Sequence, residues 1–260
     1  MIEARIKKLR GQFKKLKIDG YVIPKNDEFF SEYSKIDRLK IISNFSGSAG
    51  YAIILKQKNY LFVDGRYTLQ AKIESGKNFS IIDYHKIINC NLFKNLILGI
   101  SPKFFVSNQI KNFFLKNNKI ELINEDLVGS SFKKRVNFNK PFFSLNENTV
   151  GENYISKINK VLKIIKKNKC DSIFISAPEN VAWLLNIRGH DNPNSPIPHC
   201  HLFLNKNGKY YLIADKKKVK NLIKDKKISS NQIINPNNFR LFIEKQKKGK
   251  ILIDPKTCSL

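Results

Sequence analysis

The same order of predicted elements runs twice through these 260 residues, and this repetition limits the possible folds more than any figure of composition. In the first half, Ile2, Ile6, Leu9, Phe13 and Leu16 have helical spacing, which predicts an amphipathic helix over residues 2 to 17 leading into the apolar run Gly20 to Pro24. A second helix near Arg38 to Asn44 closes at the small-residue loop SGSAG, Ser46 to Gly50. YAIILK (51–56) and NYLFVD (59–64) then form a hairpin, Asp64-Gly65-Arg66 turns the chain into a helix, and FSIIDY, KFFVSN and KIELIN read as further strands. The second half begins with a Lys-rich helix from about Gly151 to Lys167, followed by the strand DSIFIS (171–176) and the short helix of PENVAWLLNI, with Pro178 in its first turn. After the loop RGHDNPNSPIP comes the hairpin HLFLNKNGKYYLIAD, turning at Lys206 to Gly208, and last the strand ILID (251–254). Each half thus reads helix, strand, helix, hairpin, helix, strand. An antiparallel hairpin inside an alternating α/β order calls for a mixed sheet flanked by helices.

A chain of this length suits two compact α/β domains, each able to bury its own core. The degraded, charged and Pro-containing stretch between them places the boundaries at residues 1–125, a linker at 126–150, and a second domain at 151–260. The formal charge of +27 raises the question of nucleic acid, yet only seven of the 48 basic residues are Arg and the Lys residues are scattered through both halves. Arg is the residue suited to bidentate phosphate and base contacts, and no binding motif accompanies the charge, so no nucleic-acid partner is expected. Cys90, Cys170, Cys200 and Cys258 lie far apart and form no CxxC pair, which argues against a disulfide framework or a zinc knuckle. With no apolar run near the roughly 18 residues of a membrane span and no signal-type leader, a soluble cytoplasmic protein without a membrane partner is expected.

Chemistry-bearing motifs are sparse. The chain has no HExxH, GxSxG, Walker loop or GxGxxG after a strand. GSAG (47–50) permits close backbone approach but lacks the Lys and Ser/Thr of a phosphate loop, so a tight turn entering the hairpin is the better reading. The densest polar cluster is His190, Asp191, His199 and His201 around Cys200; spacing makes metal ligation possible for His199 and His201, while the adjacency of His190 and Asp191 opposes a common centre. Asp64 and Arg66 admit two readings. Either Asp64 caps the following helix and Gly65 permits the turn, or Arg66 projects from a strand end toward a neighbouring domain or subunit, where its fork of donors holds a carboxylate. Arg188 can be read the same two ways, with Asp191 as its local partner. Trp183, the single tryptophan, shares helical spacing with Asn180 and Ile187 and is expected in the core.

The strings GYVIPKNDEFFSEY, ISNFSGSAGYAII, FVDGRYTLQA and PENVAWLLNIRGHDNPNSPIPHCHLFL resemble, in the same order, the N-terminal part of cytosolic-type Xaa-Pro aminopeptidases. DGRYTLQA and AWLLNIRGxD are the more specific of these. The resemblance implies two domains of creatinase N-terminal, ribonuclease H-like fold, followed in the family by a pita-bread catalytic domain. That catalytic domain holds two metal ions, usually manganese, through two Asp, one His and two Glu, and removes an N-terminal residue that precedes proline. None of those ligand segments occurs here, so no catalytic or metal residue is carried over. Asp64, Arg66, Arg188 and Asp191 match family segments that border the substrate cleft or a subunit contact. The resemblance further implies peptides with proline at the second position as the parent enzyme's partners, a homodimer of that enzyme, and a second domain that is incomplete at its C-terminal side. A stand-alone, non-enzymatic interaction module is the competing expectation.

Overall fold

The computed structural model describes residues 2–31, 34–88, 91–114, 117–131, 140–246 and 249–260. Cys90 and residues 132–139 of the expected linker lie outside them. The chain divides into two units, Met1–Arg135 with Ser259–Leu260, and Val136–Cys258.

In the first unit, α1 (Ile2–Arg10) and α2 (Phe13–Leu16) replace the single expected helix, with a turn at Gly11 and Gln12, where glycine weakens helix continuity. β1 (Gly20–Pro24), α3 (Arg38–Ser43), β2 (Gly50–Leu55), β3 (Asn59–Val63), α4 (Thr68–Ser75) and β4 (Ser80–Asp83) follow the anticipated order. The next strand does not. β5 (Ile97–Ile100) comes from ILGI, whereas KFFVSN forms a 3-10 turn at Pro102–Phe104 and the start of α5 (Ser107–Phe113). Gly99 makes ILGI the viable strand, because a Cβ there would lie 2.6 Å from Ile123 Cδ1 and 2.9 Å from Ile18 Cδ1. β6 (Lys119–Leu122) completes a six-stranded mixed sheet in the order β4-β3-β2-β1-β5-β6, in which β1 is antiparallel to β2 and parallel to β5.

β1 is buried along its whole length. Tyr21 and Ile23 join a cluster with Ile6, Leu9, Leu39 and Ile42 from α1 and α3. Val22 joins the opposite cluster, with Phe104, Phe105, Ile110 and Phe114. Alternating strand residues therefore feed two apolar layers, one on each face of the sheet.

The second unit holds β7 (Phe143–Ser144), α6 (Glu147–Val150), α7 (Tyr154–Lys167), β8 (Ser172–Ile175), α8 (Pro178–Leu185) and β9 (Ile187–Arg188). β10 (His201–Asn205), β11 (Tyr210–Ile213), α9 (Lys220–Lys224), β12 (Ile233–Ile234), α10 (Phe239–Lys245) and β13 (Ile251–Ile253) follow. The main sheet runs β12-β11-β10-β8-β13, with β8 antiparallel to β10 and parallel to β13, while β7 pairs with β9. Residues 126–150 are not a free linker at either end. Leu127 and Val128 belong to the first unit's core, and Phe142 to the second's.

One buried ion pair fixes the tail of the first unit. The Arg38 guanidinium, 6% exposed, donates from Nε to Asp126 Oδ2 at 2.7 Å, sits 4.0 Å from the centre of the Phe104 ring and has Glu28 4.0 Å away. Asp126 in turn accepts from the main-chain N–H of Val128 and Gly129, so α3 and the segment after β6 are tied together. Removing one partner leaves a buried charge without its counter-ion. Asp126→Ala is accordingly expected to lower the unfolding free energy by about 3 kcal/mol in urea titration, and a loss below about 1 kcal/mol, the range of exposed pairs, would place the pair among surface contacts.

Candidate functional site

In the first unit, the end of β3 runs directly into the DGR turn. The Asp64 carboxylate accepts from the main-chain N–H of Arg66 at 3.0 Å and caps a 3-10 turn, Gly65–Tyr67. The Arg66 side chain closes back on the same carboxylate, Nε at 2.9 Å and Nη2 at 3.2 Å. The cap of the first reading is formed, and the Arg66 fork rests on the capping carboxylate itself. Gly65 is not needed for the turn, since its backbone is in the ordinary region and a Cβ there would meet nothing nearer than 3.6 Å. The paired guanidinium and the capping N–H hold the Asp64 carboxyl down at about 2.

Asp64 lines a cleft of about 230 Å³ together with Lys25, Asn26, Ser48, Tyr51 and Tyr84. The SGSAG loop forms one wall and is fixed from three sides. Ser46 donates from both its main-chain N and its hydroxyl to Glu74, Gln70 adds a bond to each of them, and Ser48 bonds Tyr67 across the hydroxyls at 3.0 Å. Gly47 gives way to the Phe45 ring, which a Cβ would meet at 2.2 Å, and Gly50 to the Phe62 carbonyl oxygen at 2.6 Å. The loop is a packing turn. Lys25, 7% exposed, enters the cleft from the end of β1 and pairs with Asp37, which also caps α3 through the Lys40 N–H. Tyr51 stacks on Tyr84 at 5.6 Å and accepts from Gln109 Nε2, and burial raises its phenol well above the usual range.

Two residues beyond Lys25, the buried Asp27 carboxylate accepts from the N–H groups of Phe29 and Ser31. Burial and then the neighbouring Glu28 push it up to about 6 despite these bonds and Arg38.

In the second unit, the Arg188–Asp191 segment is set by the end of α8. Asn186 takes the left-handed conformation at φ 52 and stops the helix, and three cations occupy the exposed carbonyls. Arg188 Nη1 donates to Ala182 O, Lys157 Nζ to Trp183 O, and Lys227 Nζ to Leu185 O and Asn186 O. Cations are favoured at the negative end of the helix dipole. Desolvation draws the ammonium groups of Lys157 and Lys227 below the usual lysine range.

The expected Arg188–Asp191 pair does not form. Asp191, 3% exposed, pairs with Lys218 and accepts from the His199 main-chain N–H at 2.8 Å. Lys218 carried no signal in the sequence because it sits in a run of similar lysines, and only the fold brings it under Asp191. His190 stacks on Phe143 at 5.3 Å, and His201 bonds through Nδ1 to Ser176 O at 2.7 Å. β10 begins at His201, so His199 lies before the strand rather than on its face. Among the described residues, no three His, Cys, Asp or Glu side chains come close enough to hold a metal ion, and the residues present do not fit a manganese pair. Trp183 departs from expectation too. α8 turns Val181, Ala182, Leu184 and Leu185 inward and leaves Trp183 53% exposed, with Lys157 Nζ 4.4 Å from the ring centre.

Residues 5–110 and residues 133–260 each match a family described as the Creatinase/Prolidase N-terminal domain. The chain belongs to the creatinase/prolidase N-terminal family and carries two of its domains in tandem. Its similarity is to the N-terminal part of Xaa-Pro aminopeptidases. A probable Xaa-Pro aminopeptidase P of Laccaria bicolor is 31% identical over 74% of this chain and 33% of its own length. Xaa-Pro aminopeptidase 1 of Dictyostelium discoideum is 28% identical over 98% of this chain and 45% of its own. The crystal structure of X-prolyl aminopeptidase from Caenorhabditis elegans, described as a cytosolic enzyme with a di-nuclear active site, superposes with a TM-score of 0.85 at 22% identity, over 95% of this chain and 45% of that one. That likeness establishes the mixed α/β, creatinase N-terminal-like fold. The chain spans between a third and a half of the length of these relatives. No helix among the described residues is long and apolar enough to cross a membrane.

Two outcomes follow from the local electrostatics. In Arg66→Ala the Asp64 carboxyl is expected to return from about 2 toward the ordinary value, read by carbon-detected NMR titration; an unmoved midpoint would assign the depression to the cap N–H alone. Asp27 holds its proton more tightly folded than unfolded, so its contribution is intact below about pH 4 and is lost as pH rises through about 6. Relative to wild type, Asp27→Asn should therefore gain about 3 kcal/mol in unfolding free energy between pH 4 and 7, and a pH-independent difference between the two proteins would contradict this.

Proposed function

We propose that the chain is the non-catalytic N-terminal portion of an Xaa-Pro aminopeptidase-like metallopeptidase, serving substrate gating and assembly while residues outside these 260 carry out the cleavage. The observation that carries this reading is the tandem: two family domains, in the order found in the aminopeptidases, over nearly the whole chain. On this reading two manganese ions belong to the catalytic domain of the complete enzyme, which acts in the cytoplasm, forms a homodimer and takes peptides with proline in second place. The polar groups at strand and helix ends, Asp64 with Arg66 and Arg188 with Asp191, border the substrate cleft or the subunit contact. Support comes from their geometry: the Arg66 side chain is 74% exposed and its guanidinium is fixed by two bonds to the Asp64 carboxylate at the end of β3.

The test is release of the N-terminal residue from an X-Pro peptide in the presence of manganese. The 260-residue chain alone is expected to be inactive, and it should restore cleavage when added to, or fused with, the Dictyostelium relative from which the corresponding N-terminal portion has been deleted. In the restored enzyme Arg66→Ala should reduce kcat/KM about tenfold, the loss of roughly 1.4 kcal/mol of positioning. Activity of the chain alone would overturn the non-catalytic reading, and unchanged cleavage and oligomer size in Arg66→Ala would remove the role given to that residue.

A further inference from the structure

The carboxyl ends of three parallel strands meet at the cleft that holds Lys25, and the connections leaving the strands of this sheet part to opposite faces. β1 and β3 run in the same direction, since both are antiparallel to β2, and β4 is parallel to β3. The chain leaves β1 and β3 toward α3 and α4, whose Leu39, Ile42 and Ala71 lie in one apolar layer. It leaves β4 and β5 toward the other layer, through Ile87 and Phe93 and through Phe104 and Phe105. The connections therefore diverge between β3 and β4, and again between β1 and β5. A crevice outside the carboxyl ends of strands at such a point is where open α/β sheets take small ligands. The cleft of about 230 Å³ lies there, with Lys25 and Asn26 following β1, Asp64 following β3 and Tyr84 following β4.

Two features of the cleft are not demanded by the fold. Asp37 caps α3 through the Lys40 N–H, yet a lysine that is 7% exposed is set against it as well. Lysines are rarely buried unless paired, and among the described residues the Lys25 ammonium makes one hydrogen bond, to Asp37, of the three it can donate. Phe30, on the same cleft, has φ 56, a left-handed conformation uncommon for a bulky residue. Its turn is held by Asp27, whose carboxylate accepts from the N–H groups of Phe29 and Ser31 and whose main-chain oxygen accepts from the Phe30 N–H. Residues strained in this way concentrate at ligand clamps. Ser48 adds a hydroxyl. It shares one hydrogen bond with the Tyr67 hydroxyl, so when Tyr67 is the donor the Ser48 proton is available to an acceptor in the cleft.

We propose that this cleft binds a carboxylate carried on an apolar body, either a small organic acid or the C-terminal residue of a peptide, with Lys25 and Ser48 donating to the carboxylate and the Phe30 and Tyr84 rings covering the apolar part. One ammonium and one hydroxyl match a single negative charge. A phosphate dianion would ask for more donors, and the ionised Asp64 on the same cleft opposes a second charge. The net charge of +27 favours the approach of an anion. The inference goes beyond the aminopeptidase reading and does not use it: binding is read on the 260-residue chain alone, whereas that reading stands or falls on restored cleavage.

Phenylpropionate serves as the probe, titrated into the full 260-residue chain and followed by the amide NMR signals of Ser48, Ala49, Gly50 and Tyr84. Saturable shifts confined to the cleft are expected, with phenylpropanamide, the neutral isostere, bound at least tenfold more weakly. Lys25→Met should weaken phenylpropionate at least tenfold. Because that change also strips Asp37 of its partner, Ser48→Ala provides a second variant, expected to weaken binding several-fold while the amide spectrum outside the cleft stays as in wild type. The tripeptide Gly-Gly-Phe and its C-terminal amide separate the two sources. Binding of the free tripeptide that is lost in its amide identifies a peptide C-terminus, and binding of phenylpropionate without the tripeptide identifies a free acid. Four results would overturn the proposal: no saturable shift at about 10 mM probe, equal affinity for phenylpropanamide, the same shifts from inorganic phosphate, as general attraction to a basic surface would produce, or unchanged affinity in either variant.

Discussion

Burial of the central strand on both faces is the constraint from which the rest of each unit follows. A strand such as β1, with Tyr21 and Ile23 on one side and Val22 on the other all removed from water, cannot be satisfied by a two-layer arrangement. Helices must cover both faces, and the hairpin β2–β3 must enter beside β1 to extend the sheet without exposing its middle. Parallel pairing of β1 with β5 then obliges the chain to cross over, and aromatic residues of that crossover and of the β5–β6 connection, Phe93, Phe104, Phe105 and Phe114, become the second layer. In the second unit Phe174 stacks on Phe239 of α10, and Phe203 and Tyr211 meet the Phe242 ring at edge-on and tilted angles.

Where the two units differ, polar chemistry rather than apolar packing carries the difference. The first unit holds two buried pairs, Lys25 with Asp37 and Arg38 with Asp126, each joining a helix start to a distant segment. The second has a buried pair of its own, Asp191 with Lys218, and in addition gathers three cations on one helix end, where main-chain carbonyls are the acceptors. A helix terminus carries only partial charge, and so this end holds its lysines less tightly than a carboxylate would. The lowered ammonium groups of Lys157 and Lys227 reflect that incomplete compensation.

Local periodicity made most of the architecture readable in advance. The helices α3, α7 and α8, both hairpins and β6 sit within a few residues of where apolar spacing and turn residues put them. KFFVSN misled because its aromatic run has strand composition, while the true strand ILGI is short and contains a glycine; only the approach of Ile18 and Ile123 explains that glycine. Site geometry was legible where partners are close in sequence, as with Asp64 and Arg66. It was hidden where a partner arrives from another element. Lys218 under Asp191, 27 residues away, and Lys157 under Trp183, 26 residues away, belong to lysine-rich stretches in which no single lysine stands out. Trp183 was misplaced for a related reason, since helical spacing identifies a stripe but does not say which side of a helix the sheet will occupy.

Duplication explains why so much fold accompanies so little visible chemistry. Both copies keep the apolar positions that any copy needs to fold, and those positions carry no information about reaction. Among the described residues, the polar groups at the strand and helix ends differ between the copies: a capped Asp with its Arg in one, a buried Asp–Lys pair in the other. Each of these pairs is made within its own unit. A base or nucleophile has to be released from its partner to act, and Asp191 is held by an ammonium and a main-chain N–H at once. Within the second unit Asp191 thus serves to tie Lys218 and the His199 backbone to the end of the β9 loop.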